Sequence, residues 1–89
     1  MEYKVLRVSG KSPVKETAGS IVKTYESGYH NIELHAIGAS SVNQMYKAMA
    51  TSASILAGMG LTLMCKPGYS TIEDDAGEKT IMVARLIIQ

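Results

Sequence analysis

Residues 31–50 read NIELHAIGASSVNQMYKAMA, and the fold turns on where this stretch changes its period. Ile32, Leu34 and Ala36 alternate with Glu33 and His35, which predicts a half-buried strand over 31–38. From Ser40 the apolar positions Val42, Met45, Met49, Ala53 and Leu56 recur at helical spacing until Gly58, which predicts a helix over 40–58. Its many Ala, Ser and Met residues leave little bulk, so another element can approach closely. Between the two periods lies Gly38-Ala39-Ser40-Ser41, where small residues open the backbone to a phosphate, a partner chain or the protein's own next element.

Working outward, KVLRVSG at 4–10 is rich in Val and Leu and ends in glycine, so residues 3–9 read as a strand with both faces at least partly covered. SPVKETAGSIVKTYESG at 12–28 reads as an amphipathic helix. Ser12 stands as N-cap, Pro13 at the first helical position and Gly28 beyond the end, with Val14, Ala18, Ile21, Val22 and Tyr25 on one face. Two strand-forming runs, 61–75 and 78–89, flank Ala76-Gly77 and read as a long antiparallel hairpin, with Pro67-Gly68 as a bend or bulge. The order is βαβαββ. Strand-helix alternation with right-handed crossovers and a final hairpin gives a two-layer α/β sandwich, a mixed sheet with two helices on one face. The last strand carries apolar residues in both alternating sets, Ile81, Val83 and Ile87 against Met82, Ala84, Leu86 and Ile88, which points to a subunit interface.

The 89 residues read as one domain, 1–89, near the lower limit for a self-sufficient core, so a homodimer or tetramer is expected. Hydrophobic residues at 46% against 19% charged exclude a disordered chain. Residues 1–10 lack the apolar core of a secretory signal, and no run approaches the ~20 apolar residues of a membrane span, so a cytoplasmic protein without membrane contact is expected. Cys65 is the only cysteine, which excludes an intrachain disulfide and a cysteine zinc cluster. His30 and His35 lack metal-ligand spacing, no nucleophile-base set or P-loop is present, and the Gly38 region lacks the third glycine of a dinucleotide fingerprint. No cofactor, no metal and no catalysis are expected.

The net charge of +1 is no nucleic-acid signature, but its distribution is uneven. Lys4, Arg7, Lys11, Lys15 and Lys23 oppose only Glu2 and Glu16 in the first 23 residues, whereas Glu73, Asp74, Asp75 and Glu78 crowd the hairpin turn. Lys11, with Lys15, Ser9 and Ser12, is a candidate phosphate-binding loop. The amides of Ser40, Ser41 and Val42 form a candidate anion seat at a helix N-terminus, although Ser40 as a plain helix cap explains the same residues. Asn43 and Gln44 offer amides to nucleic acid, a partner or a structural hydrogen bond, and Tyr69 could stack on a base.

The stretches KVLRVSGKSPVKETAGSIV, IELHAIGASSVNQMYKAMA and GLTLMCKPGYSTIEDDAGEKTIMVARLII together resemble the stage V sporulation protein S family. The shared phrase is Ala36 to Ala39 followed by Asn43, Gln44, Lys47 and Ala48. The resemblance implies a regulator of sporulation and septation with an Alba-like fold, similar to small chromatin-associated and RNA-binding proteins that assemble as dimers or larger oligomers. It also implies that the loop carrying Lys11 contacts DNA or RNA. With the residues read above, the candidate nucleic-acid contacts are Lys11, Ser12, Lys15, Ser40, Ser41, Asn43 and Lys47. The basic residues that Alba proteins often carry after the glycine ending the second strand are replaced here by Ala39, Ser40 and Ser41. The acidic EDDAGE turn repels phosphate, so a protein-interaction module of the same fold is the alternative.

Overall fold

A computed structural model describes residues 3–89. The elements run β1 (Lys4–Val8), α1 (Val14–Glu26), β2 (Ile32–Ala36), α2 (Ala39–Gly58), β3 (Leu63–Asp74) and β4 (Gly77–Ile88). The four strands form one mixed sheet in the order β1-β2-β4-β3. β1 pairs parallel with β2, β2 antiparallel with β4, and β4 antiparallel with β3.

The alternation in β2 sorts the two faces. Ile32, Leu34 and Ala36 are buried together with their β4 neighbours Leu86 and Ala84. Val8 of β1, Ile21 of α1 and Met45, Ala48 and Met49 of α2 complete this core cluster. Ile21, Ile32, Leu34, Leu56 and Leu86 are sealed from solvent, each contributing roughly 1.5–3 kcal/mol of burial. Ala18, Ala48 and Ser52 are fully buried as well, and the Ser52 hydroxyl donates to the Met49 carbonyl at 3.0 Å, so this small polar side chain enters the core satisfied. The register places Arg7, Glu33, His35, Val83 and Arg85 on the other face, which no helix covers among the described residues.

Several local expectations are corrected. β1 is an edge strand rather than a covered one: Val5 remains 41% exposed, and only Val8 is buried. Pro13 takes the N-cap position of α1 and Val14 begins it. The Ser12 hydroxyl turns back to accept the Ser9 N–H at 2.9 Å instead of capping the helix. Pro67-Gly68 makes no bulge, because the β3–β4 register runs unbroken from Leu63↔Ile88 to Asp74↔Gly77. β3 is a sheet edge, where a proline's missing N–H costs no ladder bond, and Tyr69 is accordingly a strand residue. The hairpin turn is Asp75-Ala76, with Gly77 already in β4. Asp74 fixes it by accepting the Ala76 N–H at 2.9 Å and pairing with Lys79 at 3.0 Å, contacts that hold its carboxyl below the usual range.

The hairpin is longer than the sheet it joins. β2 reaches β4 only as far as Met82, opposite Ala36, so Ser70 to Ile81 continue as a two-stranded arm. At about 3.4 Å per residue it extends roughly 15–20 Å. It leaves the body beyond the C-terminal ends of β1 and β2, where the Lys11 turn and the start of α2 also lie.

Candidate nucleic-acid interface

The turn after β1 is tied by its own serines. The Lys11 N–H donates to Ser9 Oγ at 3.2 Å, the Ser12 N–H donates to the Ser9 carbonyl at 3.1 Å, and the two serine hydroxyls share a hydrogen bond at 3.2 Å. A flexible loop is thereby fixed in one shape with the Lys11 side chain exposed at its tip.

The junction after β2 is shaped by Gly38, whose φ of 91° and ψ of 158° lie in a region essentially reserved for glycine. A Cβ there meets no atom within 4 Å, so Gly38 serves the turn and not close packing. The close approach is made by Gly10 instead: a Cβ on it would stand 2.5 Å from Ser40 Oγ and 3.2 Å from Ser40 Cβ. Gln44 closes the same contact from the next turn of α2, its Nε2 donating to the Ser12 carbonyl at 2.8 Å. Of the two amides on this helix, Gln44 is therefore the structural one, and the Lys11 turn and the start of α2 are clasped together.

Ser40 does not cap α2. The helix begins at Ala39, its N-cap is Gly38, and among the described residues no side chain caps it. The Val42 N–H is already taken by the Gly38 carbonyl at 3.0 Å, which removes it from the candidate anion seat. The amides of Ala39, Ser40 and Ser41 have no carbonyl one turn back, and the positive end of the helix dipole lies there. Ser40 is exposed and Ser41 is buried to 8% exposure.

Lys11, Ser12, Ser40 and Ser41 thus come together. Lys15 sits exposed at the second position of α1, and Asn43 and Lys47, four residues apart, share an exposed stripe of α2. Among the described residues no hydrogen bond links these three to the clasp. Sequence reasoning passed over the uncovered sheet face, where Arg7 lies directly opposite His35. Next to them Glu33 accepts from His35 Nε2 at 3.0 Å and from Arg85 at 2.7 and 3.0 Å. The His35 and Arg85 hydrogen bonds hold the Glu33 carboxyl below its usual range. The spacing of Glu33 and His35 showed that they share a face, but their partner Arg85 is 52 residues from Glu33 and needed the sheet order to be found.

The family described as stage V sporulation protein S (SpoVS) matches residues 4–89. The chain belongs to that family. Among solved structures it is similar to Alba from Thermoplasma volcanium, at 10% identity over 99% of each chain with a TM-score of 0.62, a likeness of fold. The SpoVS chain is thus a sporulation-related protein with an Alba-like fold, and its order βαβαββ is the one its periodicities indicate. Among the described residues, no helix of this SpoVS member is long and apolar enough to cross a membrane.

Proposed function

We propose that the protein is a non-enzymatic, nucleic-acid-binding regulator in sporulation or septation control, seating the phosphate backbone of DNA or RNA on the edge where the Lys11 turn meets α2. The observation that carries this reading is the clasp: Gly10 against Ser40 and Gln44 on Ser12 set an exposed cation beside uncapped helix amides. Cation and amides favour the same ligand charge, and both lie in segments held by hydrogen bonds. Lys15, Asn43 and Lys47 extend the contact along the two helices. Family membership and the Alba-like fold support the reading.

The working unit is a homodimer or tetramer. α2 leaves Tyr46 at 70% and Ile55 at 45% exposure, Met59 just past its end is 45% exposed, and Leu63 and Cys65 of β3 face the same side. An apolar hollow of about 190 Å³ between Met49, Ala53, Leu63 and Cys65 runs along this side. A second copy covering it doubles the number of Lys11 turns facing one ligand.

Fluorescence anisotropy with short single- and double-stranded DNA and RNA at low salt tests the reading, together with Ser41→Asp. Binding weakened severalfold by the added carboxylate is expected. No binding of any strand at low salt overturns it. The acidic arm and the exposed Tyr69, Ile72 and Met82 favour the alternative, a protein-interaction module. Pull-down partners that persist after nuclease treatment would select that alternative.

A further inference from the structure

Behind the clasp, at the C-terminal ends of β1 and β2, lies a cavity of about 320 Å³ walled by Arg7, Val8, Ser9, His35, Ile37, Ser41 and Ile81. Its size lies at the low end for small-molecule sites, roughly 300–1,000 Å³, with room for one nucleotide. Three features point to a ligand. Ser41 is more than nine-tenths buried and lines this cavity, yet its hydroxyl has no hydrogen-bond partner among the described residues. No buried side-chain polar atom among the described residues lacks a partner, so Ser41 Oγ is within reach of solvent or of a bound group. The uncapped end of α2 adds the amides of Ala39, Ser40 and Ser41 at the same corner. On the sheet, Arg7 and His35 stand opposite each other in register, two planar groups suited to hold a flat ring, with Ile37 and Ile81 as apolar surface. Glu33 orients the imidazole: an ionised carboxylate only accepts, so His35 Nε2 is the donor.

We propose that this cavity binds a nucleoside monophosphate, with its phosphate on the α2 amides and the Ser41 hydroxyl and its base over Ile37 and Ile81 beside Arg7 and His35. Apolar walls with a few convergent polar groups suit a base, and the helix end suits a doubly charged phosphate. Inorganic phosphate lacks the first component and a nucleoside lacks the second. The assignment shares the α2 amides with the nucleic-acid reading and goes beyond it, since a free nucleotide and the phosphorylated end of a strand carry the same chemistry.

Titration of the intact protein with AMP, GMP, CMP and UMP, followed by amide NMR, tests the assignment without any variant. Saturable binding of at least one nucleotide is expected, shifting the amides of Ala39, Ser40 and Ser41, tenfold or more tighter than inorganic phosphate or the matching nucleoside. Arg7→Ala and Ser41→Asp should each weaken it tenfold or more while the protein stays folded. A 5′-phosphorylated trinucleotide should compete better than the same strand without that phosphate. Failure to bind any of the four at millimolar concentration, binding no tighter than inorganic phosphate, equal competition by the two strands, or binding untouched by both variants overturns the proposal. A protein that binds long strands but no mononucleotide contradicts this inference alone. One that binds mononucleotides but no strand contradicts only the nucleic-acid reading.

Discussion

At the scale of single residues, Gly38 shapes the junction through its backbone. At φ 91° and ψ 158° any L side chain is strained, so Gly38→Ala should destabilise the protein by about 1–3 kcal/mol in urea unfolding although its Cβ meets nothing. An unchanged midpoint would mean that the junction relaxes freely. Glu33 makes a different kind of contribution, through charge-assisted hydrogen bonds on a side chain 13% exposed beside His35 and the half-exposed Arg85. Glu33→Gln should cost about 1 kcal/mol at neutral pH once solvent screening is allowed for. The folded-state pKa lies below the ordinary 4.5, so the native state holds this proton less readily than the unfolded chain. The stabilisation is complete above about pH 4.5 and disappears as pH falls through the lower, folded value. The difference in stability between the wild type and Glu33→Gln should therefore narrow on acidification below pH 4.5, and a gap that widens there contradicts the assignment.

At the scale of elements, the clasp between the β1–α1 turn and α2 is tested by coupling. Gly10→Ala brings a methyl to 3.2 Å from Ser40 Cβ, tight enough to cost about 1 kcal/mol even after the Ser40 hydroxyl rotates away. In a Ser40→Gly background that cost should shrink, and equal costs in both backgrounds would show that the two loops do not press on each other. Sequence made the elements legible and their neighbours less so. The change from alternation to helical spacing located β2 and α2 to within two residues, and Gly28 marked the end of α1. A Val-rich run reads alike at an edge and in a covered strand, so the place of β1 stayed hidden until the strand order was known. Pro67 suggested a bend because proline cannot serve a central strand, and only the edge position of β3 removes that conflict. Ser12 had two possible partners, the first turn of its own helix and Ser9, and local spacing did not choose between them. Lys11 and Ser40 stood out as loop residues, but the clasp depends on Gln44 reaching a carbonyl 32 residues away.

At the scale of the whole molecule, charge is divided along one end. The Lys11 turn and the α2 amides lie there, and the arm carrying Glu73, Asp74, Asp75 and Glu78 projects from it. A strand bound to the first approaches the second. Replacing Glu73, Asp75 and Glu78 by their amides, and leaving Asp74 to hold the turn, should raise nucleic-acid affinity severalfold at low salt. The gain should fade as screening shortens to about 10 Å near 0.1 M. An unchanged affinity would place the bound strand away from the arm. The most direct measurement of the central claim is the salt dependence of binding to labelled DNA and RNA, compared between the wild type and Lys11→Ala. Log affinity should fall linearly with log salt in both. The slope should be shallower by about one for each Lys11 engaged in Lys11→Ala, uniformly across sequences and with unfolding unaltered. Identical slopes and affinities in two folded proteins would contradict the claim that this edge holds the phosphate backbone.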